Sequence, residues 1–253
     1  MSHNTQSRQD TEFAGASGLL IVGCSERCGK TVVTTGLAAT LLEEGFPVRA
    51  IKPICLGARR QAESELFFMS TIARSPLTYP LVFVEQPASL RTFQLAEVLR
   101  SVRQSSETTL IELPGSAATP ISLDADKSRW LDVGDLAAQL AFPVLLVAAE
   151  GTNVVEQLIL NATYLLSSSM VNVVGLVAVA VTDQPGHAET ATLPEENRAI
   201  VLKQRVGVPY LGSLKFSPSI SVPMRCQGNL IKTTSAALDL LPIIAALNLR
   251  ISV

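Results

Sequence analysis

The stretch "LLIVGCSERCGKTVVTTGLA", residues 19–38, decides the fold. It runs from apolar residues through a loop into a helix-forming segment. Residues Gly18 to Gly23 are read as a strand, and Lys30 to Glu44 as a helix stopped by Gly45. The loop between them, opened by Gly23 and closed by Gly29-Lys30-Thr31, is read as the phosphate-loop pattern. A glycine-rich turn between strand and helix aims successive backbone N–H groups at one point, and the helix dipole adds positive potential there. In that pattern Lys30 reaches the β- and γ-phosphates and Thr31 offers its hydroxyl to Mg²⁺. The expected nucleotide-binding set is Gly23, Glu26, Arg27, Cys28, Gly29, Lys30, Thr31 and Val32.

Outward from this stretch, apolar runs alternate with amphipathic ones. Strands are predicted at 48–57 (with a turn), 108–115, 142–151, 171–182 and 208–214. Helices are predicted at 62–73, 91–103, 132–140, 154–167, 195–206 and 235–247. Asp132 and Asp135 have capping-box spacing. This alternation implies an α/β fold: a three-layer α/β/α domain with a mainly parallel central sheet, of the kind seen in P-loop NTPases. Ligands of such sheets sit at the carboxyl ends of the strands. Residues 1–17 are polar and mixed and are read as a flexible tail, leaving 18–253 as one domain.

Composition agrees. Apolar residues make up 47% of the chain and aromatics 5%, a Val/Leu/Ala bias that suits buried parallel strands. The net charge of −2 gives no electrostatic case for nucleic acid or an anionic membrane surface. No apolar run reaches spanning length. Four cysteines without paired spacing, and no signal peptide, suggest reduced thiols and a cytoplasmic protein.

Two further sets carry chemistry. Lys52, in "IKPICLG", lies where Pro53 turns the chain off a strand end, facing the ligand crevice. A cation there neutralises a transferring phosphoryl group or an acidic substrate. Glu112 ends the strand "TTLIEL", where an acid holds Mg²⁺ or its water. Glu63 and Glu65, opening the helix after the lysine loop, are candidate further magnesium ligands or simply helix-start acids. Cys24, Cys28 and Cys55 are read as loop fillers, His187 as solvated, and Trp130 as a packing residue.

In order along the chain, "GCSERCGKT", "KPICLG", "IELPGS", "VGDLAAQLAFPVLLVAAEGTNVVEQL" and "GVPYLGSL" resemble the motifs of dethiobiotin synthetases, over roughly residues 18–218. The resemblance implies an ATP- and Mg²⁺-dependent cyclo-ligase of biotin synthesis that joins CO₂ to a vicinal diamine through a phosphorylated carbamate. It implies a homodimer, with the diamine site completed across the two-fold. Carried over, Lys30 and Lys52 are the catalytic lysines, Thr31 and Glu112 are metal ligands, and Glu65 stands for the family's aspartate ligand. Cys24 stands where MinD-type loops carry an extra lysine, which argues against that branch. The chain also departs from the family. The loop lacks the family's Thr-Asp-Thr polar set, with Glu26 and Arg27 in its place; Leu56 replaces a serine and Leu113-Pro114 a Gly-Ala pair. Val179 stands for an adenine-reading asparagine and Lys215 for a proline. The substrate-carboxylate turn reads Gly151-Thr152-Asn153-Val154-Val155 instead of Gly-x-x-Asn-His. These changes leave open an alternative: a diverged, non-catalytic nucleotide-binding relative. A cobyrinate-type amidotransferase needs a glutaminase domain for which the chain has no room.

Overall fold

The computed structural model describes residues 17–74, 81–86, 88–123, 130–183 and 193–249. Its frame is a six-stranded sheet built from β1 (Gly18–Gly23), β2 (Val48–Ile51), β5 (Thr108–Ser116), β8 (Val144–Ala149), β9 (Val173–Val179) and β10 (Tyr210–Leu214). The order is β10-β9-β8-β1-β5-β2, and every pairing is parallel. β1 lies at the centre, between β5 and β8, so the chain order reverses beside it and opens a crevice at its carboxyl end.

The strands alternate between two cores. Leu20 and Val22 of β1 face one, and Leu19 and Ile21 the other. All four are fully buried, each contributing roughly 1.5–3 kcal/mol through removal from water. The first core is covered by α3 (Thr92–Arg103), α4 (Val133–Leu140), α5 (Val154–Thr163) and α6 (Glu195–Val206). The second is covered by α1 (Lys30–Glu43), α2 (Arg59–Ile72), α7 (Leu230–Ala237) and α8 (Leu241–Ala246). The result is the three-layer α/β/α arrangement expected.

Several elements differ from the sequence reading. The strand expected over 48–57 is two. Pairing of the edge strand β2 with β5 ends at Ile51, and Pro53, which has no N–H to offer a ladder, follows as the chain leaves the main sheet. It resumes as β3 (Ile54–Leu56), which pairs with β4 (Val82–Val84), a short strand the pattern missed. A hairpin of β6 (Pro120–Leu123) and β7 (Trp130–Asp132) was also missed. In it Trp130 is 51% exposed rather than packed. The final helix expected over 235–247 is broken. Leu238 is extended, Asp239 N–H donates to Leu211 O of β10, and Pro242 starts α8 afresh. α5 ends in a π-helical turn, Tyr164–Ser168, inside the helix expected to run to 167.

Other details agree with the residues. Asp132 and Asp135 form a reciprocal capping box at α4. Residues 1–16 and His187 lie outside the described residues. Ser17, assigned to the tail, belongs to the fold: its carbonyl accepts from Thr109 N–H at 2.9 Å and its hydroxyl donates to Leu247 O at 2.7 Å.

Candidate active site

The loop after β1 is one residue longer than the phosphate-loop pattern. Five residues, Cys24 to Cys28, separate Gly23 from Gly29, where the pattern has four. Gly23 is therefore the last residue of β1, and the loop proper starts at Cys24, whose N–H donates to Val147 O at 2.7 Å. Gly23 still has to be glycine. A Cβ there would meet Cys28 Sγ, Gly115 O and Lys30 Nζ, each at 2.8 Å.

Gly29 caps α1 at φ +95°, the left-handed region glycine favours, with Val179 packed against it. Val33 N–H donates to Gly29 O at 3.0 Å, so the amides of Lys30, Thr31 and Val32 precede the first helical bond, the position at which a helix N-terminus can receive an anion. The Val32 side chain packs against the core, leaving only its amide for a ligand. Lys30 is buried, with Nζ donating to Ser25 O at 3.1 Å and Gly115 O at 2.9 Å, and lying 4.0 Å from Cys28 Sγ. Cys28 Sγ in turn donates to Val147 O. Glu26 and Arg27 are exposed at the loop tip.

Beside the loop lies a buried polar network. Thr31 Oγ1 donates to Glu112 Oε1 at 3.1 Å, and Lys52 Nζ donates to the same oxygen at 2.6 Å. Lys52 also pairs with Glu65 Oε2. Lys52 is 8% and Glu112 1% exposed. Burial works against the lysine's charge, but the Glu112 and Glu65 carboxylates outweigh it and push its pKa well above the usual lysine value. The helix geometry selects between the two glutamates of α2. Glu65 faces Lys52, while Glu63 is turned out to Arg59 at 3.6 Å.

Glu112 Oε2 is buried without a partner among the described residues. An orphaned carboxylate oxygen beside a threonine hydroxyl suits Mg²⁺, which takes one or two protein oxygens and keeps the rest as water and phosphate. No cluster of three His, Cys, Asp or Glu side chains of metal-binding geometry occurs among the described residues. Glu65, engaged by Lys52, is one step removed from that oxygen.

The structure thus brings Lys30, Thr31, Lys52, Glu65 and Glu112 together from four separate segments. Sequence reasoning missed Gln61, which links Arg27 to Glu65: Arg27 donates to Gln61 Oε1 at 3.4 Å, and Gln61 Nε2 donates to Glu65 Oε1 at 3.0 Å. Its signal was the four-residue spacing to Glu65 on one helix face. Cys24, Cys28 and Cys55 are all buried. Burial raises the Cys24 thiol's pKa far above the ordinary range and pushes Cys55 up to about 12, so both are protonated and inert at neutral pH. At the head of α5, Val154 is buried in the core and Val155 packs against it, while Thr152 and Asn153 are exposed. Just before that turn, Glu150 pairs with Arg198 of α6 at 2.6 Å.

Comparison with known proteins fits this arrangement. Residues 17–223 match the family model described as AAA domain. A protein named ATP-dependent dethiobiotin synthetase BioD, from Rhodococcus erythropolis, is 31% identical over 206 residues, 76% of this chain and 86% of that one. The chain belongs to the dethiobiotin synthetase family. A protein of the same name from Bacillus licheniformis is 26% identical over 77% of this chain and 84% of its own. Among solved structures, the MinC:MinD cell division complex of Aquifex aeolicus matches with TM-score 0.53 at 12% identity, covering 87% of this chain and 95% of that one. The signal recognition particle receptor FtsY of Elizabethkingia anophelis matches with TM-score 0.50 at 16% identity, over 86% of this chain. This chain spans 65% of that receptor's length, and both likenesses speak for the fold alone. No helix among the described residues is long and apolar enough to cross a membrane.

Proposed function

We propose that the chain is an ATP- and Mg²⁺-dependent ligase of the dethiobiotin synthetase type, closing a cyclic urea from CO₂ and a vicinal diamine. The observation that carries this reading is the convergence of Lys52 and Thr31 on one carboxylate oxygen of Glu112 beside the phosphate loop. In the family's chemistry one amine adds to CO₂ and loses a proton, giving a carbamate. The carbamate oxygen attacks the γ-phosphorus and ADP leaves. The second amine attacks the carbamoyl carbon, phosphate leaves, and a second proton is lost.

In this chain the amides of Lys30, Thr31 and Val32 receive the phosphates. Lys30 exchanges its two carbonyl partners for phosphate oxygens. Lys52, fixed by two carboxylates in a nearly dry position, offers a preorganised cation to the carbamate and the migrating phosphoryl group. Thr31 and Glu112 would hold Mg²⁺, which supplies charge neutralisation on the phosphates when bound. The proposed localisation is cytoplasmic, and the proposed assembly is a homodimer.

One observation favours a second reading, a nucleotide-binding relative without ligase turnover. At the turn where the family receives a substrate carboxylate, Val154 is committed to the core and only Thr152 and Asn153 offer side-chain hydrogen bonds. The deciding experiment is phosphate release with ATP, Mg²⁺ and bicarbonate, with and without 7,8-diaminononanoate, alongside mass detection of the urea. Diamine-stimulated release with urea formation supports the ligase. Nucleotide binding with neither supports the second reading.

A further inference from the structure

Arg27 stands out among the residues of the phosphate loop. Its φ of +54° is a left-handed conformation that side chains other than Gly and Asn seldom adopt, and such residues gather at ligand clamps. It is exposed at the loop tip, and among the described residues its guanidinium is in no ion pair. It makes one long contact, donating to Gln61 Oε1 of α2 at 3.4 Å. Gln61 holds Glu65 Oε1, and Glu65 holds Lys52. The side chain therefore leans over the cleft between loop and α2, two residues away along the hydrogen-bond chain from the Glu65–Lys52 pair. That is the Lys52 side of the loop, where the terminal phosphate of a nucleotide seated on the amides of Lys30 to Val32 would project.

We propose that Arg27 is a third cation of the phosphate site, folding from the loop tip onto the terminal phosphate and so distinguishing nucleoside triphosphate from diphosphate. The weak Gln61 contact is its resting place, given up when a charged oxygen is offered. A planar guanidinium gains more from a phosphate's two oxygens than from one neutral amide. The proposal rests on the reading of the loop as a nucleotide site, but not on ligase turnover.

The test is calorimetry on the full chain with Mg²⁺, using ADP and a non-hydrolysable ATP analogue on wild type, Arg27→Gly, Arg27→Asn and Lys30→Ala. Gly and Asn both tolerate the left-handed backbone, so they remove the cation without straining the loop. The wild type should prefer the triphosphate. Both Arg27 variants should lose roughly ten- to a hundredfold in triphosphate affinity, as for one charged hydrogen-bonded contact, with ADP affinity held within about twofold. Lys30→Ala should weaken the triphosphate as well, and marks the site itself. Equal losses for both nucleotides would make Arg27 a loop-shaping residue and overturn the proposal. So would no loss for either. A wild type that binds neither nucleotide would overturn the nucleotide-site reading, and the proposal with it.

Discussion

Lys52→Met removes the charge at the centre of the buried network while keeping most of the aliphatic stem that packs around it. It leaves Glu112, 1% exposed, and Glu65, with its side chain 15% exposed, facing one another without their cation. Removing one partner of a buried ion pair costs about 3–5 kcal/mol, because the remaining charge stays desolvated. Glu65, the less buried of the two, can turn toward water, so the low end, about 3 kcal/mol, applies. For a chain of this size each kcal/mol moves the melting temperature by about 2–4 °C, giving a fall of roughly 6–12 °C.

The assay is thermal unfolding of the ligand-free protein by circular dichroism, with urea unfolding as a cross-check. Lys52→Met/Glu112→Gln, which removes the stranded charge as well, should recover at least half of the loss. The pH sign follows from the direction of the shift. The folded-state pKa of Lys52 lies above its unfolded value of 10.5, so its contribution is complete below that pH. It fades only as pH rises through the higher folded value, and the Lys52→Met deficit should therefore not shrink through titration of this lysine between pH 7 and 9. A single mutant that melts within about 2 °C of wild type, or a double mutant no better than the single, would refute the reasoning.

Two further outcomes are expected. Gly29→Ala should destabilise the chain by about 1–3 kcal/mol, since φ is +95° and the new Cβ would press on Val179; pairing it with Val179→Ala in thermal unfolding should restore the steric part but not the backbone part. The chain should also be a homodimer, as the family resemblance implies: light scattering at micromolar concentration should give twice the mass of one chain. A single-chain mass there would count against the dimer and leave the proposed substrate site half-built.

The phosphate loop and its setting were legible because they are local. An apolar run of strand length, a glycine-bearing turn and a helix follow one another within residues 18–44, and each is set by nearest neighbours in the chain. The buried parallel sheet was legible for a similar reason: strands covered on both faces leave continuous Val/Leu/Ala runs such as 144–149 and 173–179. Lys52, Glu112 and Glu65 could be named as candidates from the pattern, though Glu112 falls mid-strand in β5, which runs on to Ser116, and Glu65 mid-helix in α2, which already starts at Arg59, rather than at the strand end and helix start expected. That they form one network could not, because it depends on β2 and β5 pairing in register, Ile51 beside Ile111, which sets Lys52 next to Glu112. The choice of Glu65 over Glu63 likewise came from the rotation of α2 about its own axis, which its packing on α1 and β2 decides. β4, β6 and β7 went unseen because three or four residues carry too little periodicity to identify a strand, and the partners that make them strands lie elsewhere in the chain. Local order is written in adjacent residues. The meeting of distant side chains is decided only when the sheet closes and each buried polar group must find its partner.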